Sequence, residues 1–204
     1  MSRWSRSTPD LLALTVLALV AEQPRHPYEM QRLIRERGKD FAFGTIRSMY
    51  HAVDRLVREG LIEPAETVRE GKRPERTTYR ITESGAEEFK LWLTELLSEP
   101  KQEYPVFEAA VSFMAGLPMQ EALQALQVRA ITLEGQLADV DTRMRAYAEY
   151  LPRLFLLEVE YARAMRQAEL EWVRSIIADM QSGKLTWDGE ADGSPCKMVV
   201  ILDE

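Results

Sequence analysis

Residues 45–62 read TIRSMYHAVDRLVREGLI. Within them Ile46, Met49, Tyr50, Val53, Leu56 and Val57 recur at steps of three and one, the spacing of a single buried helical stripe. Opposite that stripe stand Arg47, Ser48, His51, Asp54, Arg55 and Arg58, every one charged or able to hydrogen-bond. The pattern predicts a helix from about Thr45 to Glu59, stopped by Gly60. One face of it packs, and the other is equipped to meet a polar surface.

Two helices are predicted upstream. The first runs from about Pro9 to Glu22, with Thr8 as its cap, Pro9 in the first turn and Asp10 facing the dipole. It is apolar nearly all round, hence buried, and Gln23-Pro24 ends it. The second runs from His26-Pro27 to about Arg37, with Tyr28, Met30, Leu33 and Ile34 on its packing side and Gly38 as its stop.

Downstream, Leu61 to Arg69 and Arg76 to Ile81 read as two short strands around the basic, turn-rich tip Glu70-Gly71-Lys72-Arg73-Pro74-Glu75. Three helices followed by a hairpin is the element order of a winged helix-turn-helix. Thr82 then caps a fourth helix, whose packing side is read as Phe89, Leu93, Leu96 and Leu97.

After a linker at 100–105 the pattern is helical throughout. A short helix carries Phe107, Ala110, Val111 and Met114 ahead of Gly116-Leu117-Pro118. From there Met119, Leu123, Leu126, Ala130, Leu133, Leu137, Val140, Met144, Tyr147 and Leu151 repeat at alternating steps of four and three. This is a heptad seam, which needs a partner: the last helix folded back, a second subunit, or both. That last helix extends to about Gln181 and carries a looser stripe of Leu154, Leu157, Tyr161, Ala164, Ala168, Trp172 and Ile176. The expected fold is mainly α with a small β wing. The expected domains are a winged helix-turn-helix over 1–97, a helical dimerisation domain over 98–182 and a tail over 183–204, in which Val199–Leu202 could form a short strand.

Duplex recognition requires a helix whose outer side bears groups for base edges, flanked by cations for phosphates. Thr45, Arg47, Ser48 and His51 are the candidates for bases, Arg55 and Arg58 for the backbone, and Tyr50 is counted among the DNA-binding residues without either role. The wing cations Arg69, Lys72, Arg73 and Arg76 suit phosphates. Asp54 fits poorly on such a face, and pairing with Arg58 four residues on would relieve it. Met119, Leu123, Leu126, Leu133, Leu137, Val140, Met144, Leu154, Tyr161 and Trp172 are the dimerisation candidates. Trp92, Phe107 and Tyr161 are the candidates for an effector pocket, against the plainer reading that helically spaced aromatics are core.

A net charge of −7 seems to oppose DNA binding until the chain is divided. Residues 1–92 hold 16 Lys and Arg against 14 Asp and Glu, whereas 93–204 hold 10 against 19. The acid lies away from the helix-turn-helix, as expected where one part alone meets phosphate. One cysteine, Cys196, and two histidines exclude an internal disulfide and leave too few ligands for structural zinc, so no cofactor is expected and a reducing, cytoplasmic setting fits. The apolar run Leu11 to Ala21 follows two arginines as in a signal peptide, but no small-x-small cleavage site follows it and it is too short to span a bilayer. Neither a glycine-rich phosphate loop nor G-x-S-x-G occurs, and an enzyme is not expected.

These residues also resemble the PadR family of transcriptional regulators. His26-Pro27-Tyr28-Glu29-Met30 is similar to that family's H-G-Y-E-apolar start of helix two, with Pro27 in place of Gly. Ser48 to Leu56 followed by Glu59-Gly60-Leu61-Ile62 resembles its recognition-helix signature, and Arg69 to Tyr79 with Ile81-Thr82 and Gly85 its wing. Leu151-Pro152-Arg153-Leu154-Phe155-Leu156 with Glu158 and Tyr161 is similar to the C-terminal helices of one large subgroup. In one departure, many members place Gly directly before the signature Ser, where this chain has Arg47, with Gly44 four residues before Ser48. The resemblance implies a homodimer built by the C-terminal helices, repression of nearby promoters through operator DNA, and often release by a small hydrophobic or aromatic effector. The competing reading is a helical dimeric ligand-binding or interaction module that has lost DNA binding.

Overall fold

In the computed structural model, which describes residues 10–39, 42, 45–68 and 76–187, the apolar run 11–22 forms α1 (Leu11–Glu22). Its Ala13, Val16 and Leu17 have no solvent exposure, so this helix is the spine of the N-terminal core. The cap is Asp10, whose side chain accepts from the Ala13 N–H, whereas the sequence favoured Thr8; Thr8 and Pro9 lie outside the described residues. A carboxylate at this position satisfies an orphan donor and faces the positive end of the helix dipole.

Helix α2 (Pro27–Glu36) starts on His26, whose Nδ1 accepts from the Tyr28 N–H at 3.1 Å, with Pro27 at the first turn, where its missing N–H costs nothing. Helix α3 (Ile46–Arg58) starts on Thr45. Its buried face is Met49, Ala52, Val53 and Leu56; Ile46 and Tyr50, expected in the stripe, are exposed. The buried face is rotated from the stripe that the hydrophobicity pattern suggests: it takes in Ala52 on one edge and leaves Tyr50, on the other edge, to solvent.

Strands β1 (Ile62–Val68) and β2 (Arg76–Ile81) pair antiparallel, with a bulge between Pro64 and Glu66. Pro64 is tolerated because β1 is an edge strand. On the other side of β2, Arg25 exchanges two backbone hydrogen bonds with Tyr79, Arg25 N–H to Tyr79 O at 3.0 Å and Tyr79 N–H to Arg25 O at 2.9 Å. The Arg25 side chain, 6% exposed, donates Nε to Leu19 O, Nη1 to Glu29 and Nη2 to Glu22. Glu22 also takes Arg37, and that hydrogen bond first, with Arg25 adding to it, holds the Glu22 carboxyl below the usual carboxylate range. One residue therefore joins α1 and α2 through its guanidinium and the wing through its backbone.

Helix α4 (Glu83–Ser98) is capped by Thr82, whose Oγ1 accepts from the Gly85 N–H at 3.0 Å and donates to Gly60 O at 2.7 Å. Its deep contact is Trp92, 1% exposed in the core, while Leu97, expected on the packing side, is exposed. Long aromatic area on the inner side outweighs one more leucine at the frayed end.

The chain divides into two compact units, Met1–Gln102 and Glu103–Glu204. The second contains α5 (Val106–Ser112), a 3-10 turn at Met114–Gly116, α6 (Met119–Ala148), a 3-10 turn at Arg153–Leu156 and α7 (Leu157–Gln181). The heptad seam of α6 meets α7 of the same chain: Ala122, Leu123, Leu126, Ala130, Leu133 and Leu137 form one core with Leu170, Val173 and Met180. Leu123, Leu126, Leu133, Leu137 and Val140, expected at a dimer seam, are thus buried within the chain. Ion pairs Arg129–Glu169, Arg163–Asp141 and Arg174–Glu134 set the antiparallel register. The expected tail begins later than residue 183, since Leu185 packs on this core and Trp187 Nε1 donates to Leu117 O at 3.0 Å. Cys196 and Val199–Leu202 lie outside the described residues.

Two outcomes follow from these local geometries. A Cβ at Gly85 would stand 1.9 Å from Leu61 O, a backbone atom that cannot step aside. Gly85→Ala should cost about 1–3 kcal/mol in urea unfolding; an unchanged midpoint would contradict the close approach. His26 is a neutral cap: burial first, then Arg76, pushes its imidazole below the ordinary value, with Glu29 opposing. A depressed folded value means that the stabilisation is complete above about pH 6.5 and is lost as pH falls through the folded value. Thermal midpoints should therefore fall on acidification more steeply for the wild type than for His26→Asn, which keeps a capping oxygen that does not titrate; parallel curves would count against it.

Candidate nucleic-acid interface

The outer face of α3 is built from its first turn outward. Thr45 Oγ1 accepts from the Ser48 N–H at 3.1 Å, and the two hydroxyls lie 2.7 Å apart. Both are spent partly on starting the helix. That cap fixes where the following turn points, and it leaves Arg47 and His51 exposed just beyond it. Arg47, Ser48, His51 and Arg58 share one wall of an open concavity of about 610 Å³ with Asp10 and Arg55. Four of the expected base- and phosphate-contacting residues on α3 are therefore brought together on one surface, with Thr45 at its rim.

Three placements differ from the sequence reading. Arg55, assigned to phosphates, pairs with Asp10, which comes from the start of α1. Arg58 reaches the backbone carbonyl of Asp54 at 3.4 Å rather than its carboxylate, so the expected ion pair is replaced by a weaker contact to the main chain. Tyr50 leaves the concavity for the opposite edge of α3, where its ring meets His26 edge-on at 6.5 Å between centroids. There it approaches β2: burial first, then Asp54 and Tyr50, pushes the Tyr79 phenol above its ordinary value.

Arg76 opens β2 and is close enough to His26 to disfavour its protonation. Arg69, Lys72 and Arg73 lie outside the described residues. Asp10 and Arg25 were missed as site and support residues. Arg25 carried no signal beyond being a lone cation between two helices, and Asp10 lies 45 positions from its partner, a distance no local pattern spans.

The aromatic trio proposed for an effector pocket is not assembled. Trp92 is sealed in the N-terminal core, and Tyr161 is 68% exposed on α7. Phe107 stands in the second unit, edge-on to Trp172 at 5.9 Å and with the Arg129 guanidinium 3.5 Å above its ring. Beside it is a mainly apolar cavity of about 240 Å³ lined by Val111, Met114, Leu117, Leu126 and Arg129 among others. No group of His, Cys, Asp or Glu among the described residues is arranged to hold a metal, and no described helix is long and apolar enough to cross a membrane.

Known proteins share this arrangement. Residues 16–91, from α1 into α4, match the model of the transcriptional regulator PadR-like family. No curated protein matches the chain. Among solved structures, Bacillus subtilis PadR in complex with operator DNA superposes with a TM-score of 0.70 at 21% identity, covering 83% of this chain and 99% of that one. The same protein in complex with p-coumaric acid gives 0.69 at 20% identity, with 84% and 99% covered. The Vibrio cholerae virulence activator AphA gives 0.63 at 16% identity, with 84% and 99% covered. At such identities these structures speak for the fold, which is a winged helix-turn-helix followed by long C-terminal helices. The match to the PadR-like family model thus spans the helix-turn-helix and wing, and over most of its length the chain shares the fold of these structures.

Proposed function

We propose that the chain binds duplex operator DNA sequence-specifically as a homodimer, through α3 and the wing, and represses the promoters it occupies. The observation that carries this reading is the outer face of α3, where Arg47, His51 and Arg58 stand exposed around one concavity while the opposite face is locked in the core. Arg47, Ser48 and His51 are assigned to base edges, and Arg58, Arg69, Lys72, Arg73 and Arg76 to phosphates. A relative of the same fold crystallised with operator DNA supports the assignment. Repression is the sign we assign, although one relative of this fold is described as an activator.

The dimer is assigned to α7 rather than to the α6 seam. Its Leu157, Tyr161, Met165 and Trp172 are exposed at helical spacing, on the side away from Leu170 and Val173, with Leu154 exposed just before it. An apolar stripe of this length suits a second copy. A small hydrophobic or aromatic effector is assigned to the cavity beside Phe107, whose size and lining fit one; the relative bound to p-coumaric acid lends support. The setting is the cytoplasm, where the duplex is.

Titration against a pool of genomic fragments at rising salt tests the central claim. Affinity should fall by roughly 0.9 in log K per log salt for each neutralised phosphate, and a chain that retains no fragment at low salt is no DNA binder. Arg47→Ala should cost about 1–3 kcal/mol on the best site and flatten preference at one base pair, whereas Lys72→Ala should weaken all sequences alike. Equal losses on specific and random DNA would remove Arg47 from the base-reading set. For the dimer, Leu157→Asp with Tyr161→Asp should leave helicity intact and shift sedimentation from dimer to monomer. A doubly substituted chain that still sediments as a dimer places the interface elsewhere.

A further inference from the structure

On the reading that α3 meets DNA, we propose that Asp10 is a positioning residue for the recognition helix and that Arg55 is a strut, withdrawn from phosphate contact. Each carboxylate oxygen of Asp10 serves a different helix. Oδ1 accepts from the Ala13 N–H at 2.9 Å and caps α1, while Oδ2 accepts from Arg55 Nη2 on α3. The pair links the start of the most deeply buried helix to the third turn of the one that meets the duplex. Their side chains are 30% and 31% exposed, and the Arg55 Nε is shielded from solvent, so this guanidinium is held part-way into the protein.

Arg47 and Arg58 on the same face are exposed. A carboxylate in contact with Arg55 cancels its charge where a phosphate would have to approach, and a phosphate arriving there would meet Asp10 as well. Of the α3 cations, Arg58 is thus left for the DNA backbone and Arg47 for base edges, and the ion pair spends its energy on orientation. Apolar packing seats α3 against α1, and a directional contact at the rim adds a restraint on the rotation of Arg47 and His51 relative to the core.

Removing a negative charge from a DNA-binding face ordinarily tightens binding, so the sign of one substitution separates the two roles. Asp10→Asn keeps a good N-cap and removes only the charge. With the full chain, its best genomic fragment and random duplex, Asp10→Asn should weaken the specific site about tenfold and random DNA far less. Arg55→Ala should do likewise with an unchanged salt slope, and the double variant should lose no more than the worse single one. Arg58→Ala, by contrast, should lower the slope by about 0.9 on both DNAs. If Asp10→Asn binds both DNAs as well as the wild type or better, or if Arg55→Ala loses about 0.9 of slope, the strut is overturned and Arg55 is a phosphate ligand. Should Arg55→Ala fail to fold, the sign of Asp10→Asn alone decides. A wild-type chain that retains no DNA refutes the underlying reading instead, a result distinct from either.

Discussion

A guanidinium buried at Arg25 sets the frame on which the outer face of α3 rests. Its backbone lies against Tyr79 of β2, and its side chain binds the end of α1 through Leu19 O and Glu22 and the start of α2 through Glu29. Burying a charge is costly unless it is paired and hydrogen-bonded, and here Nε, Nη1 and Nη2 are each taken by a group of α1 or α2 while the backbone holds β2. The arrangement is stabilising only when all three are in place, which makes it a test of correct assembly more than a source of stability. The carboxylates are partly exposed, so they can stay hydrated while neutralising the charge within.

Given that frame, the position of α3 follows from packing. Met49, Val53 and Leu56 enter a core already defined by α1, Met30 and Trp92, and a helix fixed on one side must show its other side to solvent. The wing hangs from the same core through Ile62, which is almost wholly buried and pairs with Ile81. Helix α3 and the paired strands are therefore set by one packing problem, and the exposed face of α3 is a consequence of it.

Element order and the outer face of α3 were legible in the sequence because each depends on local period and on punctuation by Gly and Pro. Thr45 and Thr82 cap their helices as their residue type suggests, since capping is decided within three residues, whereas His26 caps α2 through a ring nitrogen that its type does not announce. What could not be read depends on residues far apart in the chain. The Asp10–Arg55 and Arg25–Tyr79 contacts join segments 45 and more positions apart, and nothing in either segment names the other. Trp92 looked like a pocket residue because a large aromatic at helical spacing reads the same whether it lines a cavity or plugs a core. Only its burial against α1 and the other core side chains decides.

The two long helices show the same limit in a sharper form. A heptad pattern states that a stripe must be covered and is silent on whose atoms cover it. On α6 the strict seam is satisfied by α7 of the same chain, at the register fixed by Arg129, Arg163 and Arg174. The looser stripe on α7 is the one left in solvent, because that helix has two apolar sides and Leu170, Val173 and Met180 use only one. Regularity and availability are thus inverted: the well-formed seam is the intramolecular core, where ideal packing stabilises a single subunit, and the irregular one is free to meet a partner.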